Sequence, residues 1–172
     1  MKKIFLILST VALVFSTQTA TSQDKAMNIV DIAASVDDFS TLVTALKAAD
    51  LVGALQGDGP FTVFAPVNAG FAKIDSNTLN SLLAPENKEK LAAILTYHVV
   101  AGKIAAADVA SALKSGNGKA ELTTLNGETL TAVSKDGGIY LMDKNGNYSK
   151  IAKTDVMASN GVIHIIEDVV MP

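Results

Sequence analysis

The chain of 172 residues contains no cysteine, no arginine and no tryptophan, and its histidines are His98 and His164 alone. Each absence removes a class of chemistry. Without cysteine there is no thiol nucleophile, no iron–sulfur cluster, no Cys-rich zinc site and no disulfide. An exported protein lacking disulfides must be held by its apolar core, which 49% hydrophobic residues can supply. Without arginine, bidentate clamps for phosphate or carboxylate cannot be built, and all 14 cationic side chains are lysines. Aromatic residues make up 5%, so a stacking platform for sugars or bases is thinly supplied. A formal net charge of −3 also lacks the basic footprint of a nucleic-acid binder.

What is present begins with a secretory signal. Lys2 and Lys3 form a basic n-region, and residues 4–15 are an apolar stretch too short to span a bilayer comfortably. Ala20-Thr21-Ser22 fits a small-residue cleavage site, so residues 1–22 are expected to be a signal peptide and Gln23 the mature N-terminus. Cleavage after Ala20 is the alternative. No cysteine follows the apolar run, which excludes a cysteine-linked lipid anchor, and no stable membrane anchor is expected after cleavage. Removing residues 1–22 deletes Lys2 and Lys3 and no acid, taking the net charge from −3 to −5. The expected location is therefore the periplasm or the exterior of a bacterial-type cell. Residues 23–27 read as a short polar leader, and residues 28–172 as one domain with an ample core.

Helical patterning dominates the first half. Asn28 can cap a helix through about Ala34, and Asp37 or Asp38 a second in which Phe39, Leu42, Val43 and Leu46 form the apolar stripe. Leu51 and Leu55 continue that stripe until Gly57-Asp58-Gly59-Pro60 breaks it. Residues 61–65 read as a buried strand, Asn68 can cap a short helix, and Pro85 opens a longer one carrying Leu91, Ile94 and Leu95. From Ala120 the period becomes two. Asn126-Gly127 between apolar runs predicts a type I′ hairpin, with further turns at Asp136-Gly137-Gly138 and Lys144-Asn145-Gly146-Asn147. Helices before strands imply an α+β domain with a largely antiparallel sheet.

Candidate chemistry is sparse. His98 ends an amphipathic helix, where it can be a base, a contact in an adhesive patch, or a buried imidazole bonded to backbone. His164 lies between Val162, Ile163, Ile165 and Ile166, as expected of a structural residue on a central strand. Two histidines far apart make no zinc site, and Asp136, Asp143 and Asp155 lack the dense spacing of a calcium loop, so neither metal nor cofactor is expected. No Gly-x-Ser-x-Gly elbow supports a Ser–His–Asp hydrolase. Asn147-Tyr148-Ser149 is a formal glycosylation sequon that marks an exposed turn.

Three ordered blocks carry a resemblance: residues 59–71 (GPFTVFAPVNAGF), 95–103 (LTYHVVAGK) and 158–166 (ASNGVIHII). With Thr124-Leu125-Asn126-Gly127 between the second and third, the chain resembles the fasciclin domain family from Asn28 to Pro172. Val67 stands where the family commonly has Thr, and Ala101 where it often has Pro. The resemblance implies a wedge-like β-sandwich with several helices packed on one side. It further implies a non-enzymatic, exported adhesion or binding module whose partner is a cell-surface or matrix protein or polysaccharide. In animal members, receptor attachment is tied to a Tyr-His block and an Asp-Ile pair. These map onto Tyr97 and His98, and onto Asp155 and Val156, with Val in place of Ile. The competing expectation is a secreted or periplasmic binder of a small apolar ligand or lipid, held between helices and sheet.

Overall fold

Asn28 opens the fold with a capping box: its side-chain oxygen accepts from the Asp31 N–H at 2.9 Å, and the Asp31 carboxylate accepts from the Asn28 N–H at 3.2 Å. The computed structural model describes residues 26–172; the expected signal peptide (1–22) and residues 23–25 of the expected leader lie outside the described residues. After helix α1 (Ile29–Ser35) comes a 3₁₀ turn, Asp37–Phe39, and then α2 (Ser40–Ala48). The apolar stripe predicts one helix continuing through Leu55, but the chain breaks at Asp50, whose φ is 59°. The Leu51 N–H turns back to the Leu46 carbonyl at 3.0 Å, a left-handed helix ending, and α3 (Val52–Leu55) starts afresh.

A second expectation also changes. Neither Asp37 nor Asp38 caps α2 through its side chain, and Asn68 does not cap its own helix α4 (Asn68–Phe71). Instead the Asn68 amide reaches α2, accepting from the Thr41 N–H at 3.0 Å and donating to the Asp37 carbonyl at 2.9 Å. A partner 27 residues away thus satisfies the helix start that local sequence was expected to serve.

The remaining elements are β1 (Phe61–Pro66), α5 (Ser76–Leu83), α6 (Lys88–Tyr97), β2 (Val99–Ala101), α7 (Ala106–Ser115), β3 (Lys119–Thr123), β4 (Thr129–Lys135), β5 (Gly138–Met142), β6 (Tyr148–Ala158) and β7 (Gly161–Ile166). Seven strands form one sheet in the order β2-β1-β7-β6-β5-β4-β3, antiparallel except for the β1–β7 pair. Strand β6 belongs to both halves: residues 148–150 pair with β5, and residues 151–158 pair with β7 across two register shifts. A bridge between Val100 and Thr124 brings the two outer edges together, so the sheet is nearly closed. The result is an α+β domain built on one nearly closed seven-stranded sheet.

Alternation along β1 shows how the layers are filled. Val63 and Ala65 face a cluster built with Ile29, Phe39, Leu42, Leu46, Leu91 and Leu95, so the early helices pack along one side of the sheet. Phe64 points the other way, into a cluster with Leu122, Leu130, Leu141 and Ile166 between the sheet halves. Helix α7 adds Val109 and Leu113 to that inner cluster. Both faces of β1 and β7 are therefore covered, which explains their unbroken apolar runs.

The predicted type I′ turn falls one hairpin later than expected. At Asn126-Gly127 only Gly127 has positive φ (84°), and the Asn126 carboxamide braces the loop by accepting from the Glu128 N–H at 3.0 Å. Asp136 and Gly137 take the two positive φ values, 50° and 76°, in a two-residue loop between Lys135 and Gly138.

Candidate functional site

Helix α6 ends at His98 because the chain there leaves the helical side and enters the sheet. The imidazole is buried, and both of its nitrogens are engaged by main chain. Nδ1 donates to the Ile94 carbonyl one turn back at 2.7 Å, and Nε2 accepts the Val170 N–H at 3.2 Å. That pairing assigns a neutral ring with its proton on Nδ1. Burial drives its pKa down to about 4, against the opposing pull of the Ile94 carbonyl. His98 is thus a clamp between α6 and the chain terminus.

His164 repeats the logic on β7. Its Nε2 donates to the Ile104 carbonyl at 2.8 Å, and its Nδ1 accepts the Asp155 N–H at 3.3 Å. The ring stacks on Phe64, its register partner on β1, with centroids 5.5 Å apart. Neither imidazole keeps a free nitrogen that could take a proton from a serine or bind a metal.

Tyr97 is fully buried, and its hydroxyl donates to the Thr129 carbonyl at 3.1 Å. Burial first, then the nearby Asp143 carboxylate, hold its pKa above the ordinary phenol value, so it stays neutral. Asp155 occupies the irregular stretch of β6 with φ at 58°. Its N–H is spent on His164, while its exposed carboxylate accepts from the Ala106 N–H at 2.9 Å, tying down the first residue of α7. Val156 pairs with Ile163 and lies half-buried against the helix-side cluster.

Of the four residues singled out in the sequence, two are therefore interior and two lie at or near the surface. They are linked rather than juxtaposed. The His98 carbonyl accepts the Phe64 N–H at 2.8 Å, Phe64 carries the His164 ring, and His164 fixes Asp155.

The aspartates singled out for calcium have other uses. Asp143 is buried and accepts from the N–H groups of Asn145 and Asn147 at 2.9 Å each and from Met171 at 3.3 Å. Among the described residues no group of three or more His, Asp or Glu side chains is placed to hold a metal. An enclosed apolar cavity beneath Phe71, Leu79, Leu91 and Met171 measures about 10 Å³, roughly the space of one water molecule.

Sequence comparison agrees with this architecture. The family model for the fasciclin domain matches residues 37–172. The chain belongs to the fasciclin domain family. "Protein sll1483" of Synechocystis sp. is 52% identical over 149 residues, covering 87% of this chain and 76% of the relative. Immunogenic protein MPB70 of Mycobacterium bovis is 32% identical, covering 91% of this chain and 75% of its own. Transforming growth factor-beta-induced protein ig-h3 of Sus scrofa is 32% identical, and this chain spans only 19% of its length. In three dimensions the chain is similar to a FAS1 domain pair from the insect cell adhesion molecule fasciclin I. The TM-score is 0.74 at 18% identity, covering 85% of this chain and 51% of that one.

Within this fasciclin domain, the sequence reading missed two polar hubs and one surface. Asn160 accepts from the Ile29 N–H and donates to the Leu55 and Gly57 carbonyls, pinning α1 and α3 to the β6–β7 turn. Thr62 donates to the Gly102 carbonyl and accepts from the Ile104 N–H. No local pattern announces either, because their partners are 40 or more residues away. The surface is the outward face of β3–β6, for which strand alternation was a usable signal.

Proposed function

We propose that this fasciclin-family protein is a non-enzymatic, exported binding module that makes cell-surface, matrix or biofilm contacts through its folded surface. The observation that carries the reading is the use of both imidazoles as main-chain clamps. The side chains best suited to catalysis near neutral pH are consumed by the fold, leaving the surface to act. The adhesive role implied by the family resemblance supports it.

Within that reading, Asp155 and Val156 contribute directly to a contact surface, and the buried Tyr97 and His98 position it. His98 does so through Phe64 and His164, which hold the Asp155 backbone. Beads coated with purified protein should adhere to cells or matrix of the source organism. Asp155→Ala combined with Val156→Ala should weaken this adhesion while the domain remains folded by circular dichroism. Asp155→Asn retains an acceptor for the Ala106 N–H and removes the charge, so it separates a contact from a structural anchor. Equal adhesion by both variants would sink the assignment of this site. Export is checked by fractionation, with the mature protein expected in the periplasm or medium and beginning near Gln23.

A further inference from the structure

The outward face of the β3–β6 half-sheet is largely open, with Val133 buried at its centre and α7 flanking its β3 edge. Strand register sets two adjacent rows across it. One row runs Glu121, Thr131, Met142, Tyr148; the other runs Lys119, Val133, Tyr140, Lys150. Lys135 stands two residues beyond Val133 on the same face, with its ammonium 5.0 Å from the centre of the Tyr148 ring. Two of the chain's three tyrosines therefore share one surface, and Tyr148 is 47% exposed. Tyr140 and Met142 are half-buried, while Lys119, Lys135 and Lys150 are exposed.

Charge is segregated to match. Residues 26–87, mostly helical, hold seven acids and two lysines. On the open face three lysines stand against Glu121, with Asp136 in the turn at its rim. The ion pairs formed among the described residues join Lys73 to Asp168, Lys88 to Asp50 and Lys144 to Glu128. Lys119, Lys135 and Lys150 are in none of them. An otherwise acidic protein thus presents unpaired cations beside aromatic rings at one place.

We infer that this face binds an anionic polysaccharide of the polyuronate kind, one carboxylate on each sugar ring; the inference rests on the adhesive reading above and names its partner. The C–H faces of pyranose rings would lie on Tyr148 and Tyr140, as apolar surface does on aromatic side chains. Their carboxylates would meet the lysines, which act as separate point charges because no arginine fork is available. Lys119 and Lys150 lie three strand spacings apart, about 14 Å, so the face is long enough to follow several sugar units. Its modest excess of positive charge suits a polymer bearing one charge per ring.

The test is retention of the intact mature domain on immobilised alginate, with neutral dextran and polyglutamate as comparison matrices. Wild-type protein should be retarded on alginate alone and released as salt rises. Lys135→Glu with Lys150→Glu should weaken retention by about tenfold or more. Tyr148→Ala should weaken it about threefold or more, with a loss that persists at raised salt because it removes stacking surface. Circular dichroism and melting curves should show both variants folded. Retention of the variants equal to wild type overturns the assignment of the face. Equal retention on polyglutamate overturns the sugar and indicates an acidic protein partner instead. Coated beads that adhere to matrix while the domain ignores alginate overturn this partner and leave the adhesive reading standing. Beads that fail to adhere overturn that reading itself, whatever alginate does.

Discussion

The two halves of the sheet solve opposite problems. Strands β1 and β7 are covered on one side by the early helices and on the other by the opposite half-sheet, so nearly all of their residues are buried. Every polar group placed there must find a partner inside the protein. His98, His164 and Thr62 do so by bonding main chain on both sides. Strands β3–β6 bury one face only, and their outward side chains are free of such obligations. Reactive residue types in the covered half therefore become structural, while the proposed polysaccharide-binding face is built from ordinary lysines and tyrosines in the open half. A histidine's meaning is set by which half it occupies.

The contrast is broken most severely at Phe64, which is fully buried and carries His164. Phe64→Ala should cost about 3–5 kcal/mol in urea unfolding, enough to leave the domain marginal. If it costs under about 1 kcal/mol, Phe64 does not fill a tightly packed interior between the sheet halves.

Acid should probe the clamp at His98 next. Its pKa in the fold is lowered to about 4, by burial, from an ordinary 6.5. The unfolded chain therefore binds the extra proton first as pH falls below 6.5, and the folded state does so only near 4. Stability from the neutral clamp is intact above pH 6.5 and declines between these values, by roughly 3 kcal/mol in all. His98→Gln should start less stable by about 1–3 kcal/mol, since one amide cannot satisfy both Ile94 and Val170 in the same geometry. Its stability should then vary less with pH over that window, and an unchanged slope would remove His98 as the acid-sensitive group.

Asp155 lies at the join between halves and should give an intermediate effect. Asp155→Ala loses the carboxylate that holds the start of α7 and leaves a residue with a Cβ at φ 58°. A loss of about 1–2 kcal/mol is expected from the melting temperature, and Asp155→Gly should recover part of it by relieving the backbone. On the open face, Lys150→Glu should change stability by less than about 0.5 kcal/mol while reducing alginate retention. A large stability change there would mean that the face is structural after all.

Much of this was legible along the chain. The capped helix start at Asn28, the buried β1 run and the positions of the turns in the second half follow from local rules of capping, patterning and φ preference, although the type I′ geometry sits at Asp136-Gly137. The misreadings differ in cause. Asn68 serves α2 rather than α4 because a partner 27 residues away outbids the local one, whereas the helix through Leu55 breaks at Asp50 through a left-handed ending closed by Leu46. For the candidate site, sequence identified the blocks around Tyr97, His98, Asp155 and Val156 but not their depth. Burial depends on which layer covers a strand, and that is a property of the assembled sheet.

By itself, the sequence determined which side-chain chemistries are absent: no thiol, no guanidinium and no indole. Its periodicities also determined an α+β domain with a largely antiparallel sheet, while three ordered motif blocks carried the resemblance to the fasciclin family. Only the tertiary structure decided what the remaining residues do. Composition makes aromatics scarce, yet strand register gathers Tyr140 and Tyr148 beside three unpaired lysines. Local propensity sees neighbours a few residues away, whereas hydrogen-bonded register joins side chains across strands and fixes which of them meet water.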